Sequence, residues 1–174
     1  MDLLAQILSI IGSIVAISSF QMKKQRWIVT LQMISSTLFT VHFFLLGALA
    51  GAFFNGIGIL RAVIFQNRGK HRFFDSVLWI PFFSLLSLAV CIYTWNDAGL
   101  WTLLPFIGMV CTTVGFYITD AKLTRAVSFP ASPAWLIYNA LQGSIGGVLT
   151  ESFAMCSIVI GFLRHDLRRH SKKD

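Results

Sequence analysis

The sequence predicts an all-α integral membrane protein of seven transmembrane helices, built as two parallel three-helix bundles joined by a linker helix (3+1+3), with the N-terminus outside and the C-terminus cytoplasmic. Three observations carry this expectation. Of the 174 residues, 56% are hydrophobic and 12% charged, and the apolar ones gather in long blocks instead of recurring at an amphipathic period, which is a membrane composition. The basic residues between blocks fall only in alternate loops. Short echoes also connect the first three blocks with the last three, notably Ile57-Gly58-Ile59-Leu60-Arg61 with Ile160-Gly161-Phe162-Leu163-Arg164.

A hydrocarbon core roughly 30 Å thick needs about 20 helical residues to cross it, and about 17 at minimum. On that measure the blocks run 2–21, 27–46, 50–66, 76–95, 99–118, 133–149 and 150–165. The first begins with Asp2 where a signal peptide would be basic, and no small-residue cleavage site follows, so it is expected to stay in the mature protein. Gly12 and Ala16 give it a close-packing pair. The second carries Gln32, Ser35, Ser36, Thr37, Thr40 and His42, too polar a set for a helix facing lipid all round. The third contains Asn55, and Arg61 roughly one and a half turns before its inner end, placed either to snorkel or to meet a polar partner.

The fourth block is the linker that lets the two triplets run parallel. The fifth has Pro105 about two turns in, where the missing N–H and the ring predict a kink usable as a hinge. In the sixth, Gly143 and Gly147 form a Gly-x-x-x-Gly spacing. The break before the seventh is placed at Gly146, Gly147, Thr150, Glu151 and Ser152. The divisions expected are a first bundle at 1–68, the linker at 69–98, a second bundle at 99–166 and a basic tail at 167–174.

Loop charge sets the orientation, because Lys and Arg accumulate in short cytoplasmic loops. Lys23, Lys24 and Arg26 follow block one; Arg68, Lys70 and Arg72 follow block three; Lys122 and Arg125 follow block five; Arg164, Arg168, Arg169, Lys172 and Lys173 follow block seven. The intervening loops have neither Lys nor Arg. Only an odd number of spans satisfies that alternation. The net charge of +7 therefore reads as cytoplasmic loops beside anionic lipid, and nucleic acid is excluded as a partner because no aromatic residues interleave with the basic clusters. Cys91, Cys111 and Cys156 lie in apolar blocks and read as packing residues.

Polar side chains at membrane depth face a bundle interior or a water-filled cavity. Gln6, His42 and Asn55 each lie one to two turns from the outer ends of blocks one to three, and this layer, with Asn139, Gln142 and Ser157 of the second triplet, is the candidate substrate-binding set. The plainer reading is interhelical hydrogen bonding that only knits the bundle. Asp97, Asp120 and Glu151 are all assigned to helix ends or turns, so uncoupled, facilitated passage of a small polar solute is expected over ion-coupled transport, with His42 the one titratable reservation. No hydrolase, metalloprotease or phosphate-loop motif occurs, and His165 and His170 belong to a solvated basic tail. No enzyme activity, cofactor or metal site is expected. The partners expected are a small solute and membrane lipids; a homo-oligomer stays open.

The polar second block after Lys23-Lys24-Gln25-Arg26-Trp27, the Gly51 to Arg68 block and the stretch from Pro133-Ala134-Trp135 to Arg164 together resemble the bacterial inner-membrane YgjV family over nearly the whole chain. That family in turn looks like a member of the PQ-loop group that includes the SWEET and semiSWEET sugar facilitators. The resemblance implies two triple-helix bundles around a central pathway, worked by alternating access, with a sugar as one candidate solute. The group's Pro-Gln signature is split between Ala5-Gln6 and Pro105-Phe106. Asn55 fits the group's Asn on the third helix, while its counterpart region offers Cys156, Ser157 and Ile158. The alternative class is a non-transporting inner-membrane scaffold, or a protein that binds lipids or subunits.

Overall fold

A computed structural model of the chain describes residues 3–19, 25–118, 123, 126–127 and 129–161. Among these residues the fold is all helical. Seven helices of eleven residues or more are described: α1 (Leu3–Ser19), α2 (Gln25–Leu45), α3 (Leu49–Gln66), α4 (Trp79–Tyr93), α5 (Leu103–Tyr117), α6 (Ala131–Leu141) and α7 (Ile145–Gly161). A single turn, Arg72–Asp75, precedes α4, and Trp95–Ala98 with the 3-10 turn Gly99–Thr102 leads into α5. The stretches Leu49–Gln66 and Trp95–Tyr117 are each long and apolar enough to cross a membrane unaided; Leu3–Ser19, Thr30–Leu45 and Trp79–Tyr93 are apolar but shorter.

The helices are amphipathic in the sense opposite to that of a water-soluble protein. On α1 the buried face is Ala5, Gln6, Ser9, Gly12, Ser13, Ala16 and Ser19, whereas Leu3, Leu4, Ile7, Ile10, Ile11 and Ile14 are exposed. α4 likewise buries Phe83, Ser87 and Cys91 and exposes Leu85, Leu88 and Ile92. Small and polar groups pack helix on helix while branched apolar side chains face outward, the arrangement that suits lipid as the solvent.

Helix contacts close into a ring: α1 packs on α2, α2 on α3, α3 on α5, α5 on α6, α6 on α7 and α7 back on α1, with α4 outside against α3 and α5. The ring maps onto itself when the two triplets are exchanged, since the α3–α5 contact becomes the α7–α1 contact. A constant offset of 96 residues performs the exchange. It carries Gly47, at φ 71°, to Gly143, at φ 67°, and it carries the start of α3 at Leu49 to the start of α7 at Ile145. Gly12 lies under the Phe39 ring and Gly108 under the Trp135 indole, again one pair displaced by 96.

This register corrects the one suggested by the pentapeptide echo, which is seven residues longer. Arg61 pairs with Ser157 in the repeat, and Arg164 lies outside the described residues. Likewise Pro105 pairs with Ser9, and Gln6 with Thr102, so Ala5-Gln6 and Pro105-Phe106 are not equivalent positions. Leu, Ile and Gly recur by chance in apolar helices, which is how the false register arises.

Two further expectations change. The break between the last two helices falls at Gln142, Gly143 and Ser144, because Gly143 takes the left-handed conformation that glycine accepts without penalty; Gly146, Gly147, Thr150, Glu151 and Ser152 are all helical. Pro105 is the third residue of α5, in the first turn, where N–H groups lack intrahelical acceptors. The backbone turns at Gly99 instead, at φ 55°. The basic groups Lys23, Lys24, Lys122, Arg125 and the tail from Arg164, with His165 and His170, lie outside what is described, and Arg26 is described only as part of the first turn of α2.

A plugged polar cavity as candidate functional site

The helix ends nearest Gly47 and Gly143 are sealed by a hydrogen-bonded layer. Gln6 donates from Nε2 to the Gly143 carbonyl at 2.8 Å, and its Oε1 accepts from Ile145 N–H at 3.2 Å. His42, fully buried, meets the Ala5 carbonyl through Nδ1 at 2.7 Å and the Ser144 hydroxyl through Nε2 at 2.8 Å. A carbonyl can only accept, so Nδ1 carries a proton. Ser144 also caps α7 by accepting from Gly147 N–H at 3.2 Å. The equivalent donor of α3, Gly51 N–H, has no such cap residue before it; the Tyr138 hydroxyl from α6 accepts it at 2.8 Å. His42, Phe43 and Tyr138 pack as a row of tilted rings, with centroids 4.9 Å and 5.9 Å apart.

Beneath this plug is a cavity of about 560 Å³, lined by all six ring helices and by no residue of α4. Its lining repeats at the same offset. Ser35, Ser36, Phe39 and Phe43 on α2 become Ala131, Ser132, Trp135 and Asn139 on α6, and Asn55, Gly58 and Arg61 on α3 become Glu151, Ala154 and Ser157 on α7. The wall is therefore twofold in position and unequal in chemistry: the aromatic Phe39 corresponds to Trp135, while Asn55 corresponds to a carboxylate, Glu151, and Arg61 to a serine, Ser157.

Arg61 is the most consequential member. It is 8% exposed and donates from Nη1 to Met109 O at 3.1 Å, Thr112 Oγ1 at 2.5 Å and Thr113 Oγ1 at 3.0 Å. The Phe116 ring lies 4.8 Å from its guanidinium carbon. A turn or two onward, Arg68 donates to Phe116 O at 3.4 Å and Tyr117 O at 3.0 Å, placing a cation at the C-terminus of α5 where the helix dipole favours it. The α3–α5 contact is thus held by two arginines. The equivalent α1–α7 contact is held by hydroxyls, Ser13 to Gly146 O at 2.5 Å and Thr150 to Ser13 at 2.9 Å.

Of the six residues expected to bind substrate, Asn55, Asn139 and Ser157 line this cavity. Asn55 bonds back to Gly51 O at 2.9 Å and Asn139 to Trp135 O at 2.7 Å. Gln6 and His42 belong to the plug, and Gln142 lies in a separate depression with Asp97, Trp101 and Leu104. One cavity residue escaped the sequence reading, and a second, Arg61, was singled out without its partners. Glu151, bonded to the Ser132 hydroxyl, was assigned to a turn and is in the second turn of α7 instead, so a carboxylate does face the cavity. Arg61 takes partners from α5 that no local pattern announces. Spacing would have found Glu151, since Asn55 and Glu151 each stand eight residues beyond a turn glycine.

Among the described residues no cluster of His, Cys, Asp or Glu could hold a metal ion. The profile of the bacterial inner membrane protein family Imp-YgjV matches residues 3–169. The inner membrane protein YgjV of Escherichia coli (strain K12) is 29% identical over 157 residues, covering 85% of this chain and 76% of that protein. No solved structure matches. With an outward-facing apolar surface on several helices and a match over nearly its whole length, the chain belongs to the YgjV family of multi-pass bacterial inner membrane proteins.

Proposed function

We propose that the protein is a facilitative transporter of a small polar solute, working by alternating access through the central cavity. In this reading the seven helices span the membrane as 3+1+3, with the N-terminus outside, and the layer of Gln6, His42, Tyr138 and Ser144 is the outer gate in its shut position. The observation that carries the reading is the six-helix ring itself: a twofold wall, apolar over most of its area and studded with Asn55, Arg61, Asn139 and Glu151, around about 560 Å³ and closed at one end. Parallel repeats flanking a mid-membrane cavity are what a rocking mechanism uses, because the same packing can re-form with the triplets tilted the other way.

The scaffold alternative is favoured by the complete pairing of His42 within the plug. It gives no reason for the cavity wall, where Asn139 Oδ1 and Arg61 Nε are buried without hydrogen-bond partners. Polar groups that only knit helices satisfy one another.

Uptake by proteoliposomes of radiolabelled sugars, nucleosides, amino acids and vitamins tests the proposal. Saturable uptake of one of them that stops at equal concentrations inside and out is expected, and Gly58→Phe, which adds a ring at a position lining the cavity, should abolish it. Accumulation that a protonophore collapses would replace the uncoupled mode with proton coupling. Protein that passes none of these solutes would favour the scaffold.

A further inference from the structure

We propose that the solute held in the cavity is an amino-acid-sized zwitterion, its carboxylate at Arg61 and its ammonium at Glu151. This rests on reading the cavity as a solute pathway. All three hydrogen bonds of Arg61 to protein leave from Nη1 and reach neutral oxygens, and Nε is buried without a partner. A guanidinium has five N–H donors, and among the described residues its Nε–Nη2 edge has no hydrogen-bond partner. That edge is the one a carboxylate engages with two parallel bonds. An uncompensated cation at membrane depth costs free energy, and such groups mark substrate paths.

The opposite pole is the carboxylate of Glu151. Glu151 lies on α7 at the position equivalent to Asn55, with Ser132 as its hydrogen-bond partner. Asn139 spends its amide N–H on Trp135 O, leaving Oδ1 buried without a donor. That oxygen packs against Gly147, one turn of α7 from Glu151. Along the repeat axis Arg61 lies six residues beyond the Asn55 level, a rise of about 9 Å that the long arginine side chain shortens.

Repeat-equivalent positions are neutral on both counts, Asn55 against Glu151 and Ser157 against Arg61, so among the described residues the cavity wall holds one charge of each sign. A neutral sugar would leave both without a counter-ion. A lone anion or cation would answer one and leave the other. Only a solute bearing both charges neutralises the two poles together.

The test is isothermal titration and thermal shift of the purified full-length protein against leucine, glutamine and serine, with lactate and ethanolamine as single-charge controls and glucose as a neutral one. At least one amino acid should bind, with lactate, ethanolamine and glucose far weaker. Glu151→Gln, which keeps a group able to bond Ser132, should weaken that binding roughly tenfold to hundredfold, the loss expected for one charge-assisted hydrogen bond. Arg61→Gln should do the same; where it does not fold, Arg61→Lys, which keeps the charge and loses the fork, should show a smaller loss. Glucose binding without amino acid binding overturns the zwitterion and leaves the pathway reading standing. Lactate binding that depends on Arg61 and ignores Glu151 overturns it too, as does amino acid binding unchanged in both variants. No binding and no flux of any solute overturns both proposals.

Discussion

Gly146→Ala is the sharpest perturbation of the packing that holds the two triplets together. Gly146 lies on α7 where the backbone of Ser9 in α1 passes directly over it, so a methyl at that position overlaps the Ser9 carbonyl and hydroxyl. Backbone cannot swing aside as a flexible side chain does. The helices must separate, and separation stretches Gly146 N–H to Ser9 Oγ, now 3.2 Å, and Ser13 Oγ to Gly146 O, now 2.5 Å. Overpacking of a tight site costs about 1–3 kcal/mol, and each weakened buried hydrogen bond adds about 0.5–1.5 kcal/mol. Alanine recovers up to about 1 kcal/mol of helix propensity over glycine. The net loss is about 3 kcal/mol. Gly56→Ala is the matched control: it lies in the interior of α3 with nothing near its added carbon, and it should be neutral or slightly stabilising. Equilibrium unfolding of the two variants in mixed detergent micelles reads the difference. Equal stability of Gly146→Ala and Gly56→Ala would refute the close α1–α7 approach and the ring that depends on it.

His42→Leu removes the bridge between Ala5 O and Ser144 Oγ in a fully buried place, leaving both without that partner, and should destabilise by about 2–4 kcal/mol in the same unfolding assay; His42→Gln, which can donate and accept, should lose less than half of that. Gly47→Ala and Gly143→Ala, both at positive φ, should each cost about 1–2 kcal/mol, and the corresponding Asn variants clearly less. Similar losses at the two positions are expected because the turns are equivalent in the repeat.

The apolar blocks located every long helix, since block length and hydropathy report directly on lipid burial. Their ends were less legible. Gly146 and Gly147 read as helix breakers from composition, yet they stay helical because close approach of Ser9 and Asn139 needs their missing side chains; the breaker is Gly143, whose role depends on a backbone angle. The loop charges implied parallel triplets, and contacts among the described helices follow a pattern that exchange of triplets preserves. The echo that first suggested duplication gave the wrong register, because it matched Ile, Gly and Leu, letters that recur by chance in apolar helices. Cavity-facing positions carry the true one, and they are identifiable only when Ser36 and Ser132, or Asn55 and Glu151, are known to face the same space. Arg61 could be recognised as too deep for a loop charge. That it turns toward Met109, Thr112 and Thr113 depends on α5 packing beside α3, a contact between residues about fifty positions apart in the chain.

The central claim is that the cavity is a pathway reached in turn from each side of the membrane. Asn55→Cys in a chain whose Cys91, Cys111 and Cys156 are replaced by alanine or serine places one thiol in that cavity. Labelling by a membrane-impermeant maleimide in right-side-out and in inverted vesicles then reports access from each side. The account predicts labelling from both sides, slower from the side on which His42, Tyr138 and Ser144 form the plug, and faster there when His42→Leu loosens it. Labelling from one side alone, unchanged by His42→Leu, would make the cavity a closed pit and contradict the account.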